Sequence, residues 1–463
     1  MLGPTKRAHF VGVGGSGMSP LAEVLLRGGI HVSGSDVKAS DVTAHLQALG
    51  LDFREGHAAA HVGDVDVVVR SSAVPTSNPE VVEARRRGIP VILRGELLAD
   101  LMRGKSGIAV AGAHGKTTTT SMVGLVLDRA GLDPTVVIGG RLSQFGSSAR
   151  VGRGDLLVAE ADESDRSFLM LAPVYAVVTN IDHEHLESYA GFEDLVQAFA
   201  SFIARLPFYG AAVCCTDDDV LRRIAASTTR RLVRYGLDDS GAELTATGVA
   251  LEGFGSRATI VRQTLAGSET LGTLELHVPG RHNVLNALAA IGIGLELRVP
   301  FTAIAAALAE FRGAERRFER KGEARGVTVV DDYGHHPTEI TAVLRAARDT
   351  GASRIVCVFQ PHRYTRTARL LREFGPALAL ADEIVLTDIY PAGEDPMPGV
   401  TIEALADQVR RAHGGRVHIV KALADVPAEV ARIVSPGDMV LTMGAGSIGT
   451  LGPKVVEAIA SWR

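Results

Sequence analysis

Cysteine is nearly missing from this chain: Cys214, Cys215 and Cys357 are the only three in 463 residues, and two of them are adjacent. Three thiols so placed make neither a disulfide framework nor a metal-ligand spacing. No apolar run is long enough to span a bilayer. The opening MLGPTKRAHF runs straight into a strand pattern without the apolar core of a signal peptide, so the expected compartment is the cytoplasm. Positive charge is not in surplus, since 48 Lys and Arg stand against 53 Asp and Glu for a net charge of −5. That balance argues against a nucleic-acid partner or an anionic membrane surface. Repeats of solenoid period and low-complexity tracts are absent as well. What is there is the composition of a soluble globular protein, 46% hydrophobic and 22% charged, and a length that suggests about three domains.

The chain is organised around residues 106–124, SGIAVAGAHGKTTTTSMVG. An apolar β-branched run turns through small residues into Gly115-Lys116-Thr117 and a Thr-rich helix start, the order of a strand, a phosphate loop and a helix. Backbone N–H groups converge at such a turn and the helix dipole adds positive charge there, which suits a nucleoside triphosphate. Lys116 would reach the terminal phosphates and the Thr117 hydroxyl would ligate magnesium. Val110 stands where the strict spacing asks for Gly, so the motif is a shortened variant; a plain Gly-rich strand-to-helix turn is the alternative.

Over the first hundred residues, strand patterns at 9–14, 30–36, 64–74 and 90–94 alternate with helical stretches, which predicts a parallel sheet wrapped by helices. The first turn reads Gly12-Val13-Gly14-Gly15-Ser16-Gly17, and Asp36 follows about twenty residues on. That spells a nicotinamide or flavin dinucleotide site and hence an oxidoreductase. The physical requirement, however, is only a pyrophosphate against a helix N-terminus, which a sugar nucleotide also offers; the second phosphate loop downstream favours the sugar nucleotide. Ser71-Ser72-Ala73-Val74 and Asn78 fall where a strand ends on the ligand side, with an ordinary loop exit and a helix cap as alternatives.

Residues 103–107 read as a flexible linker into the phosphate-loop domain, which continues through strands at 135–140, 155–162 and 175–182. Glu160 ends one of them, either holding magnesium opposite Thr117 or opening an exposed acidic loop. Behind another strand, Asn180-Ile181-Asp182-His183-Glu184-His185 offers a metal-binding His or a solvated loop. Short strand patterns at 214–219, 232–236, 246–253, 257–263 and 272–280 predict a mostly antiparallel flank. His282, Asn283 and Asn286 then open a helix, where they either meet a base or serve as caps. A charged connector, 311–323, leads to a third α/β region with strands at 327–334, 354–360, 383–390, 416–420 and 438–446. If residues 363–366 turn helically, Arg363 and Arg366 face one way and could grip a carboxylate; surface salt bridges are the alternative.

In this order the motifs resemble the ATP-dependent Mur ligases of bacterial peptidoglycan assembly, and within them the alanine-adding branch. The resemblance runs end to end, through HFVGVGGSGMS, SSAVPTSNPE, RGELLADLM, GAHGKTTTT, AEADESDRSF, VTNIDHEHLESY, PGRHNVLNALAA, RGAERRFE, DDYGHHPTEI, FQPHRYTRT, DIYPAGEDP and GAGSI. It implies an α/β fold of three domains. Residues 1–105 would be a Rossmann-like UDP-sugar domain, 106–312 a P-loop ATPase-type domain with a mostly parallel sheet and an antiparallel flank, and 313–463 a Rossmann-like amino-acid domain. The implied reaction serves cell-wall biogenesis: the lactyl carboxylate of UDP-N-acetylmuramate attacks the γ-phosphate of ATP, and the amine of L-alanine then displaces phosphate from the acyl phosphate.

The resemblance also distributes roles. Gly112, Ala113, His114, Gly115, Lys116, Thr117, Thr118, His282, Asn283, Asn286, Arg317 and Asp332 fall to ATP. Gly14, Gly15, Ser16, Gly17, Met18, Ser35, Asp36, Ser71, Ser72 and Ala73 fall to the UDP-sugar, and Tyr333, His335, Arg363 and Arg366 to the amino acid. Thr117, Glu160 and His185 would hold two magnesium ions, manganese being the alternative, and Lys116, Glu160, His185, His335 and Arg363 would carry the chemistry. A monomer or weak homodimer, with closure of the third domain over the other two, is expected. Ala113, Pro20 and Glu184 stand where the family has Thr, Gly and Asp, and the absence of lysine between Lys116 and Lys321 agrees with the alanine-adding branch. The nearest rival is a recycling ligase that joins a tripeptide to the same UDP-sugar.

Overall fold

Short β-branched runs between amphipathic helices build three sheets in the computed structural model, which describes residues 3–142, 147–184, 186–238 and 241–461. The first sheet takes β1 (Arg7–Val11), β2 (His31–Asp36), β3 (Asp52–Glu55), β4 (Val67–Arg70) and β5 (Val91–Leu93) in the order β3-β2-β1-β4-β5, all parallel. Strand order reverses beside β1, so the turn after β1 opens on the carboxyl edge where such sheets hold ligands. Helices α1 (Ser19–Arg27), α2 (Asp41–Ala48), α3 (Pro79–Arg86) and α4 (Arg94–Arg103) connect the strands. The edge strand β3, Asp-Phe-Arg-Glu, has too few apolar residues to show in the periodicity.

The second sheet comprises β6 (Ser106–Ala111), β7 (Thr135–Leu142), β8 (Ser147–Arg150), β9 (Leu156–Glu160), β10 (Tyr175–Val178), β11 (Ala211–Cys215), β12 (Leu232–Gly236), β13 (Leu244–Glu252), β14 (Gly255–Thr264) and β15 (Gly267–Leu276). Its order is β15-β14-β13-β12-β11-β10-β6-β9-β7-β8, with parallel pairing from β7 through β13 and an antiparallel β8. Two-residue connections make β13, β14 and β15 successive hairpins, the antiparallel flank. Residues 214–219 are not one strand: β11 ends at Cys215, and the Asp218 side chain accepts the Leu221 N–H to cap a helix, Asp219–Ser227.

The third sheet runs β16 (Glu319–Ala324), β17 (Val327–Asp332), β21 (Asp438–Met443), β18 (Arg354–Phe359), β19 (Glu383–Leu386) and β20 (Val417–Ile419), parallel except for β16 against β17. The last five residues of the supposed charged connector, 319–323, therefore belong to strand β16. Four of its six residues are charged and it lies on an edge, a pattern that reads like a linker. Both faces of this sheet are covered: Ile355, Cys357 and Phe359 enter one core, while Val356 and Val358 enter the other.

Two compact units result. One holds Met1–Thr247, Thr259–Leu274 and Leu285–Phe311; the other holds Gly248–Ala258, Glu275–Val284 and Arg312–Arg463. The first sheet and most of the second thus share a unit, in which Glu23 of α1 accepts a hydrogen bond from Ser147 of β8.

Beneath the turn after β1 lies a buried polar knot. Glu80, on the first turn of α3, accepts hydrogen bonds from the Ser35 hydroxyl (2.6 Å) and the Ala58 N–H (3.2 Å), and lies 3.3 Å from His9 Nε2 and 3.0 Å from His61 Nδ1. Ser35 in turn receives the N–H groups of Gly12 and Val13 at its carbonyl. Burial opposes the charge on Glu80, but His9 and Ser35 outweigh it and draw the carboxyl down to about 2 from the ordinary 4.5. A carboxyl depressed on folding stabilises above its unfolded value, and that stabilisation is lost as pH falls from 4.5 toward 2, on the order of 3 kcal/mol in all. Glu80→Gln should therefore lower the melting temperature at pH 7, and the gap between the two proteins should narrow as the pH is taken below 4.5. Parallel melting curves at every pH would contradict this account.

Candidate functional site

The centre of the site is the turn after β6. Residues 112–115 lead into α5 (Lys116–Arg129), and the carboxyl ends of β9 and β10 flank β6 on either side. Gly112 and Gly115 adopt φ of 133° and 81°, a region that penalises any side chain. There is also no room for one: a methyl on Gly112 would lie 2.1 Å from Thr179 Oγ1, and one on Gly115 would lie 2.7 Å from Asn286 Oδ1. The loop is gripped from the end of β10. Thr179 Oγ1 donates to the His114 carbonyl (2.6 Å), His114 N–H donates to Asn180 Oδ1 (2.8 Å), Asn180 Nδ2 returns a bond to the His114 carbonyl (3.1 Å), and Ala113 N–H donates to the Asn180 carbonyl (3.1 Å). Thr179 and Asn180 have no role of their own in the sequence analysis, where they fall inside the strand pattern at 175–182.

Lys116 points its ammonium back at this loop. It donates to the carbonyls of Gly112 and Ala113 and to Glu163 Oε1 (2.8 Å). Burial works against its charge, but Glu163 and Asp162 prevail and raise its pKa, so it stays protonated. Burial pushes the Glu163 carboxyl up to about 7, against the pull of Lys116. In the sequence Glu163 is one acid of the run Glu160 to Asp165, with nothing local to single it out. Glu160 ends β9 level with Val110 and accepts the Gly139 N–H at 3.1 Å. The His114 ring lies 2.9 Å from Asp182 and 3.8 Å from Glu184. His185 lies outside the described residues. Thr117 and Thr118 fall in the first turn of α5, Thr117 half-buried and Thr118 buried. Asn286 accepts from Thr119 Oγ1 at 3.1 Å, against the loop and helix. The hydroxyl of Thr117 and the carboxylate of Glu160 are hard oxygen donors on adjacent elements, a donor set that fits magnesium.

At the turn after β1, Gly14 N–H donates to Asp36 Oδ2 (2.8 Å), so Asp36 holds the turn itself. Ser35 is buried and acts on the turn from below, and Met18, also buried, precedes α1. Gly15, Ser16, Ser72 and Ala73 are exposed, and Ser71 Oγ accepts the Ala73 N–H. The backbone of Gly17 lies against the side chain of Arg94.

In the second unit, Asp332 at the end of β17 accepts the N–H groups of Phe318 (2.8 Å) and Gly334 (2.6 Å). Burial pushes its carboxyl up to about 6, opposed by Arg317. Arg317 also lies 3.6 Å from Glu339 and over the Tyr333 ring. Burial, helped by Arg317, lowers His282 to about 4, and Asn283 Nδ2 donates to the Pro279 carbonyl. His335, lowered by burial to about 3, sits edge-on to both Tyr333 and His362, and His362 stacks on Tyr390. The expected helical pair of arginines does not form. The helix Tyr364–Arg369 starts after Arg363, whose φ is 69° and whose N–H donates to the Tyr390 carbonyl. Arg363 is half-exposed, 4.0 Å from Glu394, whereas Arg366 turns inward to His362 Nδ1 at 3.0 Å.

Comparison with known proteins agrees along the whole chain. The model of the Mur ligase family catalytic domain matches residues 7–106, that of the Mur ligase middle domain 110–294, and that of the Mur ligase glutamate ligase domain 316–446. The UDP-N-acetylmuramate--L-alanine ligase of Geobacter sp. (strain M21) is 52% identical over 98% of both chains. That of Trichlorobacter lovleyi is 52% identical over 99% of this chain and 100% of its own. The crystal structure of a UDP-N-acetylmuramate-alanine ligase from Thermotoga maritima superposes with a TM-score of 0.83 at 31% identity, covering 99% of this chain and 100% of that one.

The grip on the loop makes Gly112 the position to test. Gly112→Ala forces a side chain into a left-handed conformation against Thr179, a strain of about 1–3 kcal/mol, so affinity for a non-hydrolysable ATP analogue should fall roughly tenfold or more. Unchanged affinity in a binding titration would show that this grip does not shape the site.

Proposed function

The chain belongs to the Mur ligase family, and from that premise we propose that it is the ATP-dependent ligase that joins L-alanine to the lactyl carboxylate of UDP-N-acetylmuramate in peptidoglycan precursor synthesis. The observation that carries this reading is the full-length identity of about half to ligases of that name, together with a lysine-bearing phosphate loop held by β10. A cytoplasmic setting suits such a precursor step, and among the described residues no helix is long and apolar enough to cross a membrane.

The chemistry begins with repulsion, since a carboxylate has to attack the γ-phosphate of ATP. The Lys116 ammonium now shared among Gly112, Ala113 and Glu163 is the group that phosphate oxygens would claim, and the N–H groups at the start of α5 add positive potential. Thr117 and Glu160 would hold magnesium, which supplies further neutralisation between the two anions when bound. Attack releases ADP and leaves an acyl phosphate. The pyrophosphate of the UDP-sugar belongs at the turn after β1, with Gly14 to Gly17 before α1, which removes the need for a redox dinucleotide there.

The amine of L-alanine then attacks the acyl carbon and phosphate departs. In the second unit His335 is held neutral, with Nδ1 facing the Tyr333 carbonyl at 3.1 Å, so Nε2 is the acceptor that would orient the amine. Arg366 and Arg363 would take the alanine carboxylate, from different sides of the helix start rather than from one face. His282, Asn283, Arg317 and Asp332 would serve the adenosine end of ATP.

The substrate assignment is tested by offering L-alanine and the tripeptide in parallel, each with ATP, magnesium and UDP-N-acetylmuramate, while ADP release is followed. L-Alanine should be the better substrate, and preference for tripeptide would overturn the assignment. Lys116→Ala should cut ADP formation by about 10²–10³-fold while UDP-sugar binding persists. Full turnover by that variant would remove the phosphate-loop reading.

A further inference from the structure

Arg94 is the first residue of α4, in the RGELLADLM block to which no role has been given, and it sits between the two nucleotide turns of the first unit. On one side it packs against the turn after β1: a methyl on Gly17 would lie 2.8 Å from Arg94 Cδ and 2.9 Å from Nη1. On the other side Nη2 pairs with Asp162 (2.8 Å), and Asp165 lies 3.7 Å away. The guanidinium is largely buried, at 17% exposure, so it is confined to this geometry. Asp162 is itself pinned, accepting from both the N–H and the hydroxyl of Ser164. It precedes Glu163, the partner of Lys116, and its own charge acts on Lys116. The next residue of α4, Gly95, packs on Ser167 of the same acidic loop, where a methyl would stand 2.6 Å from Ser167 Cβ.

We propose that Arg94 is a positioning residue that couples the two nucleotide sites, linking the sugar-nucleotide turn at Gly17 to the acidic loop that presents Glu163 to Lys116. The inference rests on the reading of the turn after β1 as the UDP-sugar site. A guanidinium has five donors in a fixed fork, enough to hold the Asp162 carboxylate and a phosphate oxygen together. A pyrophosphate at Gly17 gives Arg94 a second anion and fixes it; through Asp162 it fixes the loop at 162–167, whose ordering ATP then need not bring about. The expected sign is positive coupling, each nucleotide tightening the other by the same factor.

The experiment is a titration of the full chain with a non-hydrolysable ATP analogue and magnesium, with and without UDP-N-acetylmuramate. The wild type should bind the analogue about tenfold more tightly when the UDP-sugar is present. Arg94→Ala and Asp162→Asn should each abolish that ratio, the double variant should lose no more than either, and Arg94→Lys, which keeps charge but not the fork, should restore only part of it. Arg94→Gln, with a melting curve beside each titration, separates lost coupling from lost folding. A tenfold ratio that survives in the folded Arg94 variants, additive losses in the double variant, or no ratio in a wild type that binds both ligands would each overturn the coupling. Failure of the wild type to bind UDP-N-acetylmuramate at all would instead strike the reading of the turn.

Discussion

The grip of Thr179 and Asn180 on the loop at 112–115 is the constraint from which the rest of the site follows. A phosphate loop works only if its backbone is held in one shape, and Lys116 holds it from one side through the Gly112 and Ala113 carbonyls. Here the carbonyl of His114 and the N–H groups of Ala113 and His114 are all taken up by the end of β10. Because β10 pairs with β6 in register, Val178 beside Ala111, the grip is set by the sheet and not by the loop's own preferences. Two positive-φ glycines are then required, both because of their backbone angles and because the gripping side chains leave no space.

Charge is arranged around that loop in opposed layers. Lys116 is buried among carbonyls and Glu163, Asp162 lies behind Glu163, and Arg94 neutralises Asp162. Two neighbouring carboxylates between a cation at either end keep Lys116 protonated in a buried place, each acid having a basic partner. In the second unit the histidines are treated oppositely: burial holds His335 and His362 neutral, leaving Arg366 as the positive group beside them.

Much of the fold was legible because inner strands of the three sheets, such as β4, β10 and β18, carry short apolar β-branched runs that lie between helices. The errors share a cause. The edge strands β3 and β16 are rich in charge, so hydrophobic periodicity passes over them, and Asp218 looks like strand continuation although its carboxylate is a helix cap. The candidate site was legible where a motif states the chemistry in consecutive residues, as in Gly115-Lys116-Thr117. It was not legible for Glu163, Thr179 and Arg94, whose parts are assigned by neighbours 47, 65 and 68 residues away. The arginines show the converse error: a spacing of three suggests one helical face, but the Tyr390 carbonyl holds Arg363 outside the helix.

By itself the sequence determined the alternation of strand and helix, the two glycine-rich turns, the lysine that follows the second of them, and membership of a family whose motifs stand in order from end to end. These are local properties, encoded by residues adjacent or one helical turn apart. Tertiary structure alone decided that β10 grips the loop, that Ser35 faces Glu80 and supports the first turn from below, and that one guanidinium lies between the turn after β1 and Asp162, the neighbour of the acidic partner of Lys116. Each of these depends on which strands are neighbours and in what register. The pairing free energy of a sheet is collective, so those choices are written in no short stretch of the chain.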